Sequence, residues 1–171
     1  MVDAIPNWLH IVGATIWVGP QFFVFLVSTP ALHTVEDARQ RLRALRVLTT
    51  RFNYLAWAGM VLLVLTGISN YFDVRADCDC DLSEFRWITV FSTKMTLVIV
   101  TIALTAFHSF WSGPRLIGMQ EQAVESRAEP AQLASLRRAS IAASSLALLA
   151  SLAVLFLGAL LLNHEFSFEP R

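Results

Sequence analysis

Three ionisable side chains, His10, Lys94 and His108, sit inside long apolar runs of this 171-residue chain. A titratable group at such depth is costly enough to need a reason. Lys94 is the only lysine; the twelve other basic residues are arginines and lie outside the runs. A buried lysine can lose its proton and an arginine effectively cannot, which makes Lys94 a candidate catalytic residue. The plainer alternative is a shallow lysine whose ammonium reaches the headgroups. The histidines suit a metal ion, a proton route or a hydrogen bond between helices. A further constellation is Asp77-Cys78-Asp79-Cys80-Asp81, two thiols among carboxylates. Such a pair could chelate Cu(I), although cysteines so close are badly placed for a disulfide with each other.

The elements that carry these residues follow from composition. The chain is 56% apolar and 15% charged, with a mean hydropathy of +0.57, where a soluble domain is nearer a quarter charged. Thirteen basic residues cancel thirteen acidic ones, so nothing points to nucleic acid. The apolar residues fall into runs at about 8–29, 54–72, 88–111 and 139–163, each long enough to cross about 30 Å of hydrocarbon. Uninterrupted runs lack the alternation of a membrane barrel. The expected fold is therefore all-α, a four-helix transmembrane bundle forming a single domain in a lipid bilayer. No nucleophile elbow, phosphate loop or zinc-protease pattern occurs, which argues against a hydrolase or nucleotide enzyme. The residues before the first run carry no Lys or Arg, unlike a cleavable signal.

Four crossings put loops 30–53 and 112–138 on one side with nine arginines, leaving three for the other side. The positive-inside rule then makes both termini non-cytoplasmic, periplasmic in a bacterial inner membrane. The segment 35–51 reads as a short amphipathic helix or as a solvated basic face. The tryptophans read as an aromatic belt.

At about 100° per residue, Lys94, Thr101, Thr105 and His108 share one face of the third helix. His10, Trp17, Gln21 and Ser28 do the same on the first, with Gly13 beside them. Both stripes must face protein, and Gly13 leaves room for a flat ligand or for close helix packing. His10 lies near the outer end of its span and His108 near the inner end of its own, about 20 Å or more apart along the normal. One metal ion cannot take both, so two haem ligands would mean two haems. Second ligands on offer are Lys94, Met95 and His164 outside, and Met60, Tyr54 and His33 inside. The stripe Ser140, Ser144, Ala147, Ser151 and Gly158 on the fourth span reads as close packing without chemistry.

Trp8-Leu9-His10-Ile11-Val12-Gly13 followed by Trp17-Val18-Gly19 resembles the opening span of the copper-resistance protein D superfamily and of the related J-type protoporphyrinogen oxidases. Trp87, Lys94-Met95-Thr96-Leu97, His108 and Gly113-Pro114-Arg115 look like the layout of their third span, and Arg51 and Thr66-Gly67 extend the likeness to the second. Gly19-Pro20 departs from the A-G-L element of the oxidase branch. The resemblance implies a membrane bundle with a b-type haem, His10 as first ligand and Lys94 as functional neighbour. The combined expectation is a haem b protein with one or two haems that transfers electrons, with quinone as a partner. Its cofactor set is His10, His108, Gly13 and Arg115, with His10 and His108 on iron. The alternatives are a copper-handling membrane protein using Cys78, Cys80 and His10, and an accessory subunit of a larger membrane complex.

Overall fold

The computed structural model describes residues 4–77, 81–126 and 132–170. Its helices are α1 (Ala4–Phe23), α2 (Thr29–His33), α3 (Ala38–Asp77), α4 (Arg86–Phe107), α5 (Gly113–Ser126), α6 (Leu133–Leu162) and α7 (His164–Ser167). Two π turns, π1 (Val24–Ser28) and π2 (His108–Ser112), join α1 to α2 and α4 to α5. The result is four continuous rods long and apolar enough to cross a membrane, Ala4–His33, Ala38–Asp77, Arg86–Ser126 and Leu133–Leu162. The all-α transmembrane architecture is as expected; the described residues contain no strand, only an isolated bridge between Phe85 and Pro170. Hydrocarbon offers the backbone no hydrogen bonds, so apolar runs of this length close their own as helices.

The rods run further than the apolar runs suggest. Pro30 and Gly113-Pro114 read as helix ends, yet the helices pass through both. A proline lacks the N–H donor and crowds the carbonyl four residues back. Before each proline the helix widens by one residue, with Thr29 N–H donating to the Val24 carbonyl and Gly113 N–H to that of His108. That wider turn absorbs the defect without breaking the rod. The basic segment is likewise no separate surface helix. From Ala38 onward it is the start of α3, with Asp37 Oδ1 accepting from the backbone N–H groups of Arg39 at 2.8 Å and Gln40 at 3.4 Å.

α1 packs along α3 and α4 along α6. In the first pair the backbones approach at Gly13 and Gly59: a Cβ on Gly59 would stand 3.0 Å from Ile16 Cγ2, and one on Gly13 3.1 Å from Leu63 Cγ. Small residues permit this approach, which dispersion rewards in lipid. Fewer contacts tie the pairs together. Trp17, Val18 and Met60 form a buried core with Ile102 of α4 packed against it, and Trp17 Nε1 donates to Ser151 Oγ of α6 at 3.0 Å. Near the termini, Trp87 stacks on Phe91 at 4.8 Å and Tyr71 of α3 on Phe91 at 5.2 Å. Arg86 meets Glu169 at 2.6 Å, fixing the C-terminal segment to the start of α4.

Burial is inverted relative to a soluble bundle. Ile11, Leu65, Ile99 and Leu149 are exposed, while Ser28, Thr66, Thr101, Ser140 and Ser151 are buried. That is the pattern of lipid outside and small polar residues between helices. The aromatic belt reading fits Trp8 and Trp111, both exposed, but not Trp17 and Trp87, which are buried packing residues.

Candidate functional site

The polar stripes meet along the seam between the two helix pairs, in two clusters. Toward the termini, His10 Nδ1 lies 2.8 Å from Thr66 Oγ1 of α3. Thr66 lies one turn beyond Leu62 and donates its own hydroxyl to that carbonyl at 2.7 Å. With that proton committed, Oγ1 accepts from His10 Nδ1–H, which leaves the lone pair on Nε2. The Leu63 backbone is a second polar neighbour of the ring. Among the described residues no side chain bonds to Nε2. The ring rests against Gly67, where a Cβ would stand in ordinary contact at 3.4 Å from His10 Cε1. Lys94 approaches from α4, with Nζ 3.5 Å from where a Cβ of Gly158 on α6 would be, and its charge is within electrostatic reach of His10. One residue group from each of the four rods thus meets here.

Toward the arginine-rich end, His108 opens π2. Its Nδ1 lies among three hydroxyls, Ser140 at 3.2 Å, Ser112 at 3.3 Å and Ser144 at 3.3 Å. Ser144 already donates to the Ser140 carbonyl at 2.9 Å, so toward the ring it can only accept. The wider turn positions this ring: π2 offsets His108 and Ser112 so that both face α6, where Ser140 and Ser144 sit one helical turn apart. Beside His108 is a cavity of about 190 Å³ walled by all four rods, including Trp17, Gln21, Phe52, Asn53, Thr105 and Ala147. Val24 and Ser28 of π1 and His108 of π2 both border it.

Of the residues singled out by sequence, His10 and Lys94 come together, and His108 belongs to the separate cluster. Gly13 lies against Gly59, so its missing side chain serves helix packing rather than approach of a ligand. Arg115 is exposed, its guanidinium 5.0 Å above the Trp111 ring. Met60 is in the core with Trp17, and Tyr54 and His33 are exposed. Cys78 and Cys80 lie outside the described residues, as does the side chain of His164. Among the described residues no three His, Cys, Asp or Glu side chains converge on one point. The serine stripe does more than pack. Ser140 and Ser144 hold His108, and Ser151 receives Trp17. Their coincidence with the polar faces of the first and third helices was the available signal.

A family model described as "Domain of unknown function (DUF4149)" matches residues 12–125. An uncharacterized protein of Aquifex aeolicus (strain VF5) is 27% identical over 118 residues, 68% of this chain and 75% of that protein. No solved structure matches. These findings correct the likeness to copper-resistance protein D and the J-type oxidases: the family that matches is another one, and its match includes the second and third spans on which that likeness rested. Short tryptophan, histidine and glycine motifs recur in apolar helices because belts, buried polar residues and close packing all demand them.

Proposed function

The chain belongs to the DUF4149 family, and we propose from its geometry that it is an integral membrane protein that binds a single-ring, quinone-type ligand beside His108 in support of electron transfer. The cavity carries this reading. An apolar cavity of ~150 Å³ accepts a benzene ring, and drug-sized ligands occupy roughly 300–1,000 Å³. At about 190 Å³ the space suits one substituted ring and not a macrocycle. Trp17, Phe25 and Phe52 offer ring contacts, and Asn53, Thr105 and His108 offer hydrogen bonds to ring oxygens. The lining extends to Leu32 and Leu45, which gives a lipid-soluble ring an approach at the arginine-rich end. The arginine distribution supports placing that end in the cytoplasm and both termini across a bacterial inner membrane.

The test uses purified full-length protein in detergent, titrated with decylubiquinone. Trp17 borders the cavity, so saturable quenching of tryptophan emission is expected, and it should shrink in Trp17→Phe. Ala147→Leu fills the space and should abolish saturation, while His108→Leu should weaken binding by about tenfold if one hydrogen bond is lost. Quenching that stays the same in Ala147→Leu overturns the proposal.

A second reading, a b-type haem on His10, is favoured by the bond to Thr66. An axial histidine is held by a hydrogen bond at its other ring nitrogen, and His10 has that arrangement with Nε2 left over. The residues fit one axial ligand, with Lys94 as a cation for a propionate. A bound haem would supply one-electron redox chemistry; the chain's part would be to orient His10 through Thr66. His108 would not join it, being held in the other cluster. A haem absorption band lost in His10→Ala is expected, and a colourless protein purified from haem-replete cells refutes this reading.

A further inference from the structure

Lys94 has no ion pair or hydrogen bond among the described residues. The four apolar runs contain no Asp or Glu at all; the rods carry carboxylates only beyond those runs, and among the described residues none pairs with Lys94. An unpaired ammonium is expensive at this depth, and such groups face a pathway or a partner. The amine does not stand free in lipid. It lies against α6 over Gly158, close enough that a Cβ there would touch it at 3.5 Å. Across the seam is His10, whose Nδ1 is committed to Thr66 and whose Nε2 bonds to no side chain of the described residues. One cation and one titratable ring, drawn from the two helix pairs, thus lie at one level of the seam, seven residues along α1 and α6 from the Trp17 to Ser151 bond, and no carboxylate of the described residues pairs with Lys94.

We infer that Lys94 and His10 form a binding site for the oxyanion head of a single-chain amphiphile entering from the leaflet on the side of the termini. The ammonium donates charge-assisted hydrogen bonds to a carboxylate or phosphate oxygen. His10 accepts from a protonated head through Nε2, or donates to an ionised one after taking up a proton. The tail is required by location. A water-borne anion would have to shed its hydration to reach Lys94, whereas an acyl chain lies along the exposed apolar faces that the rods present to lipid. This site is separate from the cavity at His108 and needs no iron on His10.

The experiment is native mass spectrometry of the full chain in detergent with oleate, oleyl alcohol and acetate. Oleate is expected to bind one per chain, oleyl alcohol at least ~tenfold more weakly, and acetate not to compete at matched concentration. Lys94→Gln should weaken oleate by about tenfold or more, the loss expected for one charge-assisted hydrogen bond, and Lys94→Arg should restore most of it. Gly158→Leu, whose side chain would push the amine off α6 while leaving its charge, should weaken oleate similarly and serves if Lys94→Gln does not fold. Equal binding of oleate by wild type and Lys94→Gln, by wild type and Gly158→Leu, or of oleate and oleyl alcohol by wild type, overturns the site. Competition by acetate overturns the amphiphile in favour of a water-borne anion.

Discussion

Gly113 separates a steric demand of π2 from ordinary helix preference. A Cβ at this position would stand 2.8 Å from the His108 carbonyl oxygen, closer than the 3.0 Å below which something must shift, and the obstacle is backbone. A Cβ on Gly118, in the same helix, would meet nothing within 4 Å. Alanine in place of glycine favours a helix by about 0.8–1.0 kcal/mol. Gly118→Ala should therefore stabilise the protein by up to about 1 kcal/mol. Gly113→Ala gains the same preference but adds overpacking of ~1–3 kcal/mol, so its net effect lies between neutral and about 2 kcal/mol destabilising. The difference between the two variants isolates the clash. Unfolding in mixed micelles, followed by circular dichroism, measures it. Because the clash falls on His108 itself, Gly113→Ala should also weaken quinone-analogue binding while Gly118→Ala leaves it unchanged. If Gly113→Ala unfolds together with Gly118→Ala or later, the π turn is not held by a need for glycine and does not position His108 in this way.

Trp17→Phe and Ser151→Ala should each cost about 1–3 kcal/mol, and the double variant less than their sum, because both remove the 3.0 Å bond between the helix pairs. In nitrogen NMR of the histidines, Thr66→Val should shift the His10 Nδ1 resonance while Thr66→Ser leaves it near its original place, since only the hydroxyl accepts from the ring. Arg46 and Glu121 pair at 2.8 Å with the arginine exposed and the glutamate partly so, so Glu121→Gln should change stability by less than about 1 kcal/mol, and a larger loss would mean the arginine-rich end is structurally important.

Apolar run length and helical angle made the bundle and the inward polar faces legible: Thr101, Trp17 and Ser28 are buried where the 100° count put them. Partners between helices were not legible. Nothing in local spacing says that Thr66 rather than Met95 faces His10, because that depends on how two rods rotate and slide against each other. Ser140 and Ser144 read as packing for a related reason, since a small polar residue suits both close approach and hydrogen bonding. The prolines mislead in a different way. Locally Pro30 and Pro114 are stop signals, and only the inserted residue of a π turn, set by the surrounding helices, reveals that the rods continue.

The two kinds of helix contact divide the labour of this fold. Within α1 and α3, Gly13 and Gly59 bring backbones together so closely that side chains have no room between them. Between the pairs, the ties include the Trp17 to Ser151 bond, the serines around His108 and the rings of Tyr71, Trp87 and Phe91. A ligand that entered within a pair would have to break backbone packing; one that enters the seam displaces only space already left open. Both π turns border that seam at the arginine-rich end, through Val24, Phe25 and Ser28 on one side and His108 and Ser109 on the other, beside the ring-sized volume. Filling that volume from opposite walls, with Ala147→Leu on α6 and Ala56→Leu on α3, should therefore block the same ligand while leaving the Gly13 to Gly59 contact intact; two fillers with unrelated effects on binding would mean the walls do not enclose one site.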